Sequence, residues 1–203
     1  HVRSRRQRQM CIRDRYTGDE IASLPQLTVE QTLDVIAESD TATAVAAAMP
    51  RHQRAAILEG AATLLHARSE DVAALIVAEA GKTIRQARKE VARAVNTLRL
   101  SAAEATRNAG EVVPFDSFPG GENRIGWFSR EPLGLIVAIT PYNDALNLVA
   151  HKIGPAVAGG NAVILKPSQQ TPLTAQLLVD LFEEAGLPAG VITVVRGLSL
   201  IHI

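Results

Sequence analysis

Between Gly134 and Val195 short apolar runs alternate with longer helical stretches, and this alternation restricts the fold more than any other feature of the 203-residue chain. Leu135-Ile136-Val137-Ala138-Ile139 is apolar without a break, as expected of a parallel strand covered on both faces. Helix signals follow from Asp144 to about Ala158, and Ala162 to Leu165 reads as a second strand. Pro172 to Ala185 reads as a second helix, ended by Gly186 and Pro188, and Val191 to Val195 as a third strand. Strands spaced by helices of this length require right-handed crossovers and a parallel sheet, so the predicted class is α/β. Such sheets bind ligands beyond the carboxyl ends of their strands. Two loops therefore carry the chemistry of this region: Thr140 to Asp144 and Lys166 to Thr171.

Upstream, from about Thr28 to Gly110, the chain reads as successive helices. Pro50 opens one of them, where its missing N–H costs nothing. Ile57, Ala61, Leu64 and Leu65 recur at helical spacing, with Arg51, Arg54, Glu59 and Arg68 on the opposite side. Ser69 is expected to cap the next helix, with Glu70 and Asp71 in its first turn and Gly81 closing it. A further helix puts Ile84, Ala87, Val91, Val95, Leu98, Ala102 and Ala105 on one face; Arg85, Arg88, Lys89, Glu90 and Arg93 form a face expected to be solvated. Beyond Gly110, Pro114, Pro119, Gly120 and Gly121 punctuate two short strand candidates, Glu111 to Val113 and Arg124 to Arg130. Trp127 in the second is either packed or an anchor in a subunit contact.

Composition excludes several classes. Lys+Arg and Asp+Glu number 21 each and 47% of residues are apolar, which is too apolar and too balanced for a disordered chain. The same balance argues against bulk nucleic-acid binding. No apolar run reaches about 18 residues, so no membrane span is expected. The lone cysteine, Cys11, excludes a disulfide scaffold, and the scattered histidines lack metal-ligand spacing, so no metal site is expected. The charge is nevertheless uneven. Arg3, Arg5, Arg6, Arg8, Arg13 and Arg15 face one acid, Asp14, in the first fifteen residues. The stretch MCIRDR there and the closing LSLIHI resemble translated adaptor sequence. Residues 1–16 and 198–203 are therefore expected to be non-native or disordered tails.

In the first loop Asn143 and Asp144 stand where a helix N-cap belongs, so capping is one reading. The other makes the Asn143 amide a hydrogen-bond donor to a developing oxyanion. In the second, Lys166 is either a solvated charge or a ligand for a ribose hydroxyl or phosphate. Ser168 and the free N–H groups of the following helix would add anion affinity. G-x-G-x-x-G and Walker motifs are both missing; Gly154, Gly159 and Gly160 read as helix-end and turn glycines, and His151 as a packed or hydrogen-bonded helix residue.

The motifs E-P-L-G, T-P-x-N, G-N-A-V-x-L-K-P-S and T-P-L-T, at their spacings between Arg130 and Val195, resemble the aldehyde dehydrogenase superfamily. The stretch from Pro50 to Gly110, with AEAGKTIRQARKEV, is similar to that family's helical N-terminal region. The resemblance implies an incomplete Rossmann-like parallel sheet over residues 134–197, preceded by a helical N-terminal part over 17–110. Residues 111–133 would be the β segment of an oligomerisation arm. It implies NAD or NADP as cofactor, bound without G-x-G-x-x-G, and oxidation of a small aldehyde to a carboxylic acid through a cysteine thioester. Asn143 matches the oxyanion-hole asparagine. Thr140, Pro141 and Tyr142, after Ile139, match the loop beside the nicotinamide ribose. Lys166 matches the lysine that contacts the adenosine ribose, with Pro167 and Ser168 beside it. A homo-oligomer is implied for the full-length enzyme, with no membrane or nucleic-acid partner; the lone cysteine fits a reducing cytosol, so a cytoplasmic location is expected.

Two departures from the family pattern stand out. Gln169 occupies a position where many NAD-preferring members carry glutamate; a neutral side chain does not repel a 2′-phosphate, so NADP is expected to be tolerated or preferred. Asp144-Ala145 follows Asn143 where the family often has Phe-Pro. The family's nucleophilic cysteine, general-base glutamate and glycine-rich nicotinamide loop lie downstream of the third strand, and Cys11 is no substitute. The chain by itself is thus expected to be an inactive fragment. The alternatives are a non-catalytic nucleotide-binding or assembly module, or a related acyl phosphate reductase.

Overall fold

A computed structural model describes residues 9–107 and 110–197. Strands β1 (Gln9–Arg13) and β2 (Glu20–Pro25) form an antiparallel hairpin. Four helices follow: α1 (Val29–Ala48), α2 (Arg51–Ala67), α3 (Ser69–Ala80) and α4 (Ile84–Arg107). A second antiparallel hairpin joins β3 (Gly110–Val113) to β4 (Gly126–Ser129). The remainder alternates β5 (Leu135–Ile139), α5 (Asn147–Ala158), β6 (Ala162–Lys166), α6 (Pro172–Glu184) and β7 (Ile192–Val194). The last three strands make a parallel sheet in the order β5-β6-β7.

The helix ends follow local chemistry. Thr28 caps α1 through a reciprocal box with Gln31. Gly81, at φ 70°, closes α3 in the left-handed region where glycine carries no Cβ penalty. Ser69, the expected cap, is instead the first residue inside α3.

Helix α4 is the spine of the helical layer and packs on α2, α3 and α5. Its face of Ala87, Val91, Ala94, Leu98 and Ala102 joins Leu58 and Leu65 of α2, Ile153 of α5, and Leu178 and Phe182 of α6 in one continuous core. Gly154 lies inside α5, not at its end as its type suggested. A Cβ there would come within 2.8 Å of Ser101 Oγ on α4, so glycine is what allows the two helices to approach.

Several other expectations are corrected. The basic N-terminal stretch is not disordered over residues 9–16; Met10 and Ile12 are buried under the hairpin, and Arg15 N donates to Ala78 O at the end of α3. Residues 1–8 and 198–203 lie outside the described residues. Arg54 and Glu90, both assigned to solvated faces, are buried. His151 is exposed on α5 rather than packed. Strand β5 is not fully covered on both faces: Val137 and Ile139 are each 62% exposed. Trp127 is 73% exposed, which removes the packing reading.

The α4–α5 approach sets a test. Gly154→Ala should lose about 1–3 kcal/mol through overpacking, outweighing a helix-propensity gain of about 1 kcal/mol. Adding Ser101→Ala should recover most of it. Urea unfolding midpoints of the two variants check this; a stable single variant would refute the close approach.

Candidate functional site

The two loops begin side by side. In the parallel register Ile139 pairs with Lys166, and one residue on, Thr140 N donates to Lys166 O at 3.2 Å. Thr140 is buried, whereas Pro141, Tyr142 and Asn143 are exposed beyond the end of β5. Among the described residues the Asn143 amide has no hydrogen-bond partner, and neither has the Lys166 ammonium. Lys166, Ser168 and Gln169 are half-buried and Pro167 is buried. Ser168 Oγ accepts from Gln170 N at 3.2 Å, which tightens the second loop. Gln169 Nε2 donates to Gly197 O at 2.8 Å and so ties that loop to the segment after β7.

The first loop is held at its far end by charge. Asp144 does not cap α5. Its carboxylate meets Lys82 Nζ at 2.5 Å and Arg93 Nη1 at 3.2 Å. Burial alone would raise the Asp144 carboxyl, but the hydrogen bond and charge of Lys82, then those of Arg93, hold it below its ordinary 3.8. Burial likewise disfavours the Lys82 ammonium, and its bonds to Asp144 and Glu90 overcome this and raise it. The start of α5 is capped from another helix: Glu90 Oε1 accepts from Leu146 N at 2.8 Å and Asn147 N at 3.2 Å, while Glu90 Oε2 meets Lys82 Nζ at 2.6 Å.

The second loop ends in a similar arrangement. Glu79 of α3 is fully buried at the first turn of α6. It accepts from Leu173 N at 2.5 Å, Thr174 N at 2.9 Å and Thr174 Oγ1 at 2.5 Å. Burial pushes its carboxyl above the ordinary 4.5 despite those bonds. The amides of Leu173 and Thr174 are thus occupied by a protein carboxylate. This corrects the expectation that they would be free to bind an anion.

The structure therefore brings every expected site residue, from Ile139 to Asn143 and from Lys166 to Gln169, to one edge of the sheet. Lys82, Glu79, Glu90 and Arg93 were not expected there, and Asp144, expected as a cap, holds an ion pair instead. The signal for two of them was present: Glu79 falls on the apolar stripe of Val72, Ala73 and Ile76, and Glu90 beside that of Ala87, Val91 and Ala94. An acid in an apolar stripe needs a buried partner.

A cavity of about 820 Å³ opens at the opposite edge, lined among others by Arg54, Arg130, Glu131 and His151. It does not include the two loops. Among the described residues no three His, Cys, Asp or Glu side chains could hold a metal ion, and no helix is long and apolar enough to cross a membrane. At the loop edge the available donors are an amide, an ammonium and a hydroxyl, a set that fits a sugar and an anion better than a metal.

A parallel sheet with crossover helices and polar donors gathered at its carboxyl edge is an α/β architecture of the kind that takes its ligand at that edge. A model of the aldehyde dehydrogenase family matches residues 1–200, and the chain belongs to that family. It is 56% identical to aspartate-semialdehyde dehydrogenase 1 of Pseudomonas canavaninivorans, over 90% of this chain and 39% of that protein. It is 42% identical to 3-sulfolactaldehyde dehydrogenase of Priestia aryabhattai, over 93% of this chain and 39% of that protein. Among solved structures, the NADP-dependent glyceraldehyde-3-phosphate dehydrogenase of Bacillus halodurans, complexed with NADP, superposes with a TM-score of 0.89 at 36% identity. That match covers 96% of this chain and 41% of the other. The chain thus spans about two fifths of the length of the relatives it matches.

The Asp144 pair carries a pH dependence. Its stabilisation is complete above the ordinary carboxylate value of 3.8 and is lost as pH falls through the lowered value in the fold. The stability gap between the unaltered chain and Asp144→Asn should therefore be widest near about pH 7 and close toward about pH 3. Urea unfolding across that range measures it; a gap independent of pH would mean that the ion pairs contribute nothing.

Proposed function

We propose that this chain is the cofactor-binding N-terminal part of an NAD(P)-dependent dehydrogenase that oxidises a small, anionic aldehyde. The observation that carries the reading is the register of Ile139 against Lys166, with Thr140 N bonded to Lys166 O, which starts both loops at one edge. Lys166 and Ser168 are the donors suited to the adenosine ribose. Thr140, Pro141 and Tyr142 border the nicotinamide side, and the unpartnered Asn143 amide is the donor to an oxyanion forming on the aldehyde carbonyl. When bound, the nicotinamide supplies the hydride acceptor. Gln169 is uncharged and presents no repulsion to a 2′-phosphate.

The anionic substrate class rests on two supports. The relatives above act, by their names, on aspartate semialdehyde, 3-sulfolactaldehyde and glyceraldehyde 3-phosphate, each with a negatively charged group. Arg93 is mostly exposed beside Asp144, next in sequence to Asn143, with guanidinium N–H groups to spare beyond its one carboxylate contact. The hairpin β3–β4 exposes Val112, Ile125 and Trp127, which suits it to pairing subunits in a homo-oligomer. A lone free cysteine, the exposed Cys11, is compatible with a reducing cytoplasm.

Cofactor binding is measurable on the chain itself. NADP+ should shift the amide resonances of Thr140, Tyr142 and Asn143 and of Lys166, Ser168 and Gln169 together. Gln169→Glu should lower the NADP/NAD affinity ratio by about tenfold or more, the substituted carboxylate repelling the 2′-phosphate. Resonances in both loops that stay unmoved at saturating NADP+ would end this reading.

Catalytic roles need the remaining three fifths of an enzyme. This segment can be exchanged for the corresponding part of the Pseudomonas relative. In that chimera Asn143→Ala should lower kcat by about 10²–10³. Arg93→Met should raise KM for an anionic aldehyde by about tenfold while sparing a neutral aldehyde of equal size. An equal effect on both aldehydes would remove Arg93 from substrate recognition.

A further inference from the structure

Each ligand loop has two ends. The strand ends are joined to each other by the Thr140–Lys166 backbone bond. The helix ends are not; each is fixed by a different glutamate reaching across from the helical layer. At α5, Glu90 takes the Leu146 and Asn147 amides and binds Lys82, which in turn grips Asp144, the neighbour of Asn143. At α6, Glu79 takes the Leu173 and Thr174 amides and the Thr174 hydroxyl. Both carboxylates are nearly inaccessible, and all four oxygens are engaged, so neither is placed to exchange a proton with a substrate. A carboxylate at a helix N-terminus meets the positive end of the helix dipole, which makes a buried acid tolerable there.

Both clamps come from one short stretch of chain. Glu79 stands near the end of α3 and Glu90 in the second turn of α4, with Gly81 turning the chain between them. Helix α4 begins from its own box, in which Thr83 Oγ1 and Gln86 Oε1 exchange hydrogen bonds with each other's backbone N–H. The turn directs Glu79 to one crossover helix and Lys82 and Glu90 to the other.

We propose that Glu79 and Glu90 are positioning residues that set the two halves of the cradle independently. Glu79 orders the Lys166–Gln170 loop; Glu90, through Lys82 and Asp144, orders the loop that presents Asn143. The inference takes its functional meaning from the reading of these loops as the cofactor and oxyanion loops, but its geometry does not depend on any ligand.

The test is a crossed one on the 203-residue chain, by ¹⁵N relaxation without cofactor. Glu79→Ala should lower the backbone order parameters of Lys166, Ser168, Gln169 and Gln170 from about 0.85 to below about 0.6 and leave Tyr142 and Asn143 rigid. Lys82→Met should do the reverse. Glu79→Gln, which keeps an acceptor oxygen, and Lys82→Arg, which keeps the charge, should restore most of the order. If Glu79→Ala does not fold, Thr174→Val removes only the hydroxyl contact and should loosen the same loop to a smaller degree. The proposal is overturned if either variant loosens both loops together, or if neither loop responds. Because no nucleotide is present, failed NADP+ binding would count against the proposed function and leave this result intact.

Discussion

A carboxylate removed from water must find donors or lose its charge, and two such carboxylates organise this molecule. Glu79 and Glu90 lie in helices whose other inward residues are mostly apolar, and each finds its donors in the unbonded amides that open a crossover helix. Each contact meets two needs. The acid is stabilised by the helix dipole, and the helix gains a cap that its own sequence does not supply: neither Leu146 nor Thr171 makes a side-chain cap. Helices α3 and α4 and the sheet are thereby tied together by polar contacts with defined geometry, laid over an apolar core that by itself has little directional preference.

The consequence reaches the sheet edge. Crossover helices that start at fixed points leave short loops with little freedom, and those loops carry Asn143 and Lys166. Asp144 adds a second restraint on the first loop. Where the family often has an aromatic residue and a proline, this chain has an acid that holds Lys82 and Arg93 beside Asn143.

Much of this was legible in the sequence. The three strands, both crossover helices and the two loops follow from uninterrupted apolar runs, from Gly186 and Pro188 as stops, and from the rule that parallel strands need a crossover. The motif resemblance assigned the loop residues their roles. Other features were not legible for physical reasons. Arg54 looked like surface because its neighbours on α2 alternate as a surface helix would, yet it lies buried against Gly160, whose added Cβ would meet its Nη1. The basic N-terminal stretch looked foreign by composition, yet its alternating Met10 and Ile12 are buried in a hairpin seated on α3.

What the sequence determined alone is whatever rests on near neighbours: the parallel strands and their crossover helices, the left-handed Gly81, and the order of motifs along the chain. Apolar period, propensity and turn chemistry act over a few residues, so they can be read locally. What only the tertiary structure decided is which polar groups meet. Glu79 and Leu173 are separated by 94 positions and Lys82 and Asp144 by 62, and no periodicity in either segment specifies its partner. Those meetings arise when α3 and α4 dock on the crossover helices, because a buried charge is stable only where the folded chain happens to bring donors to it.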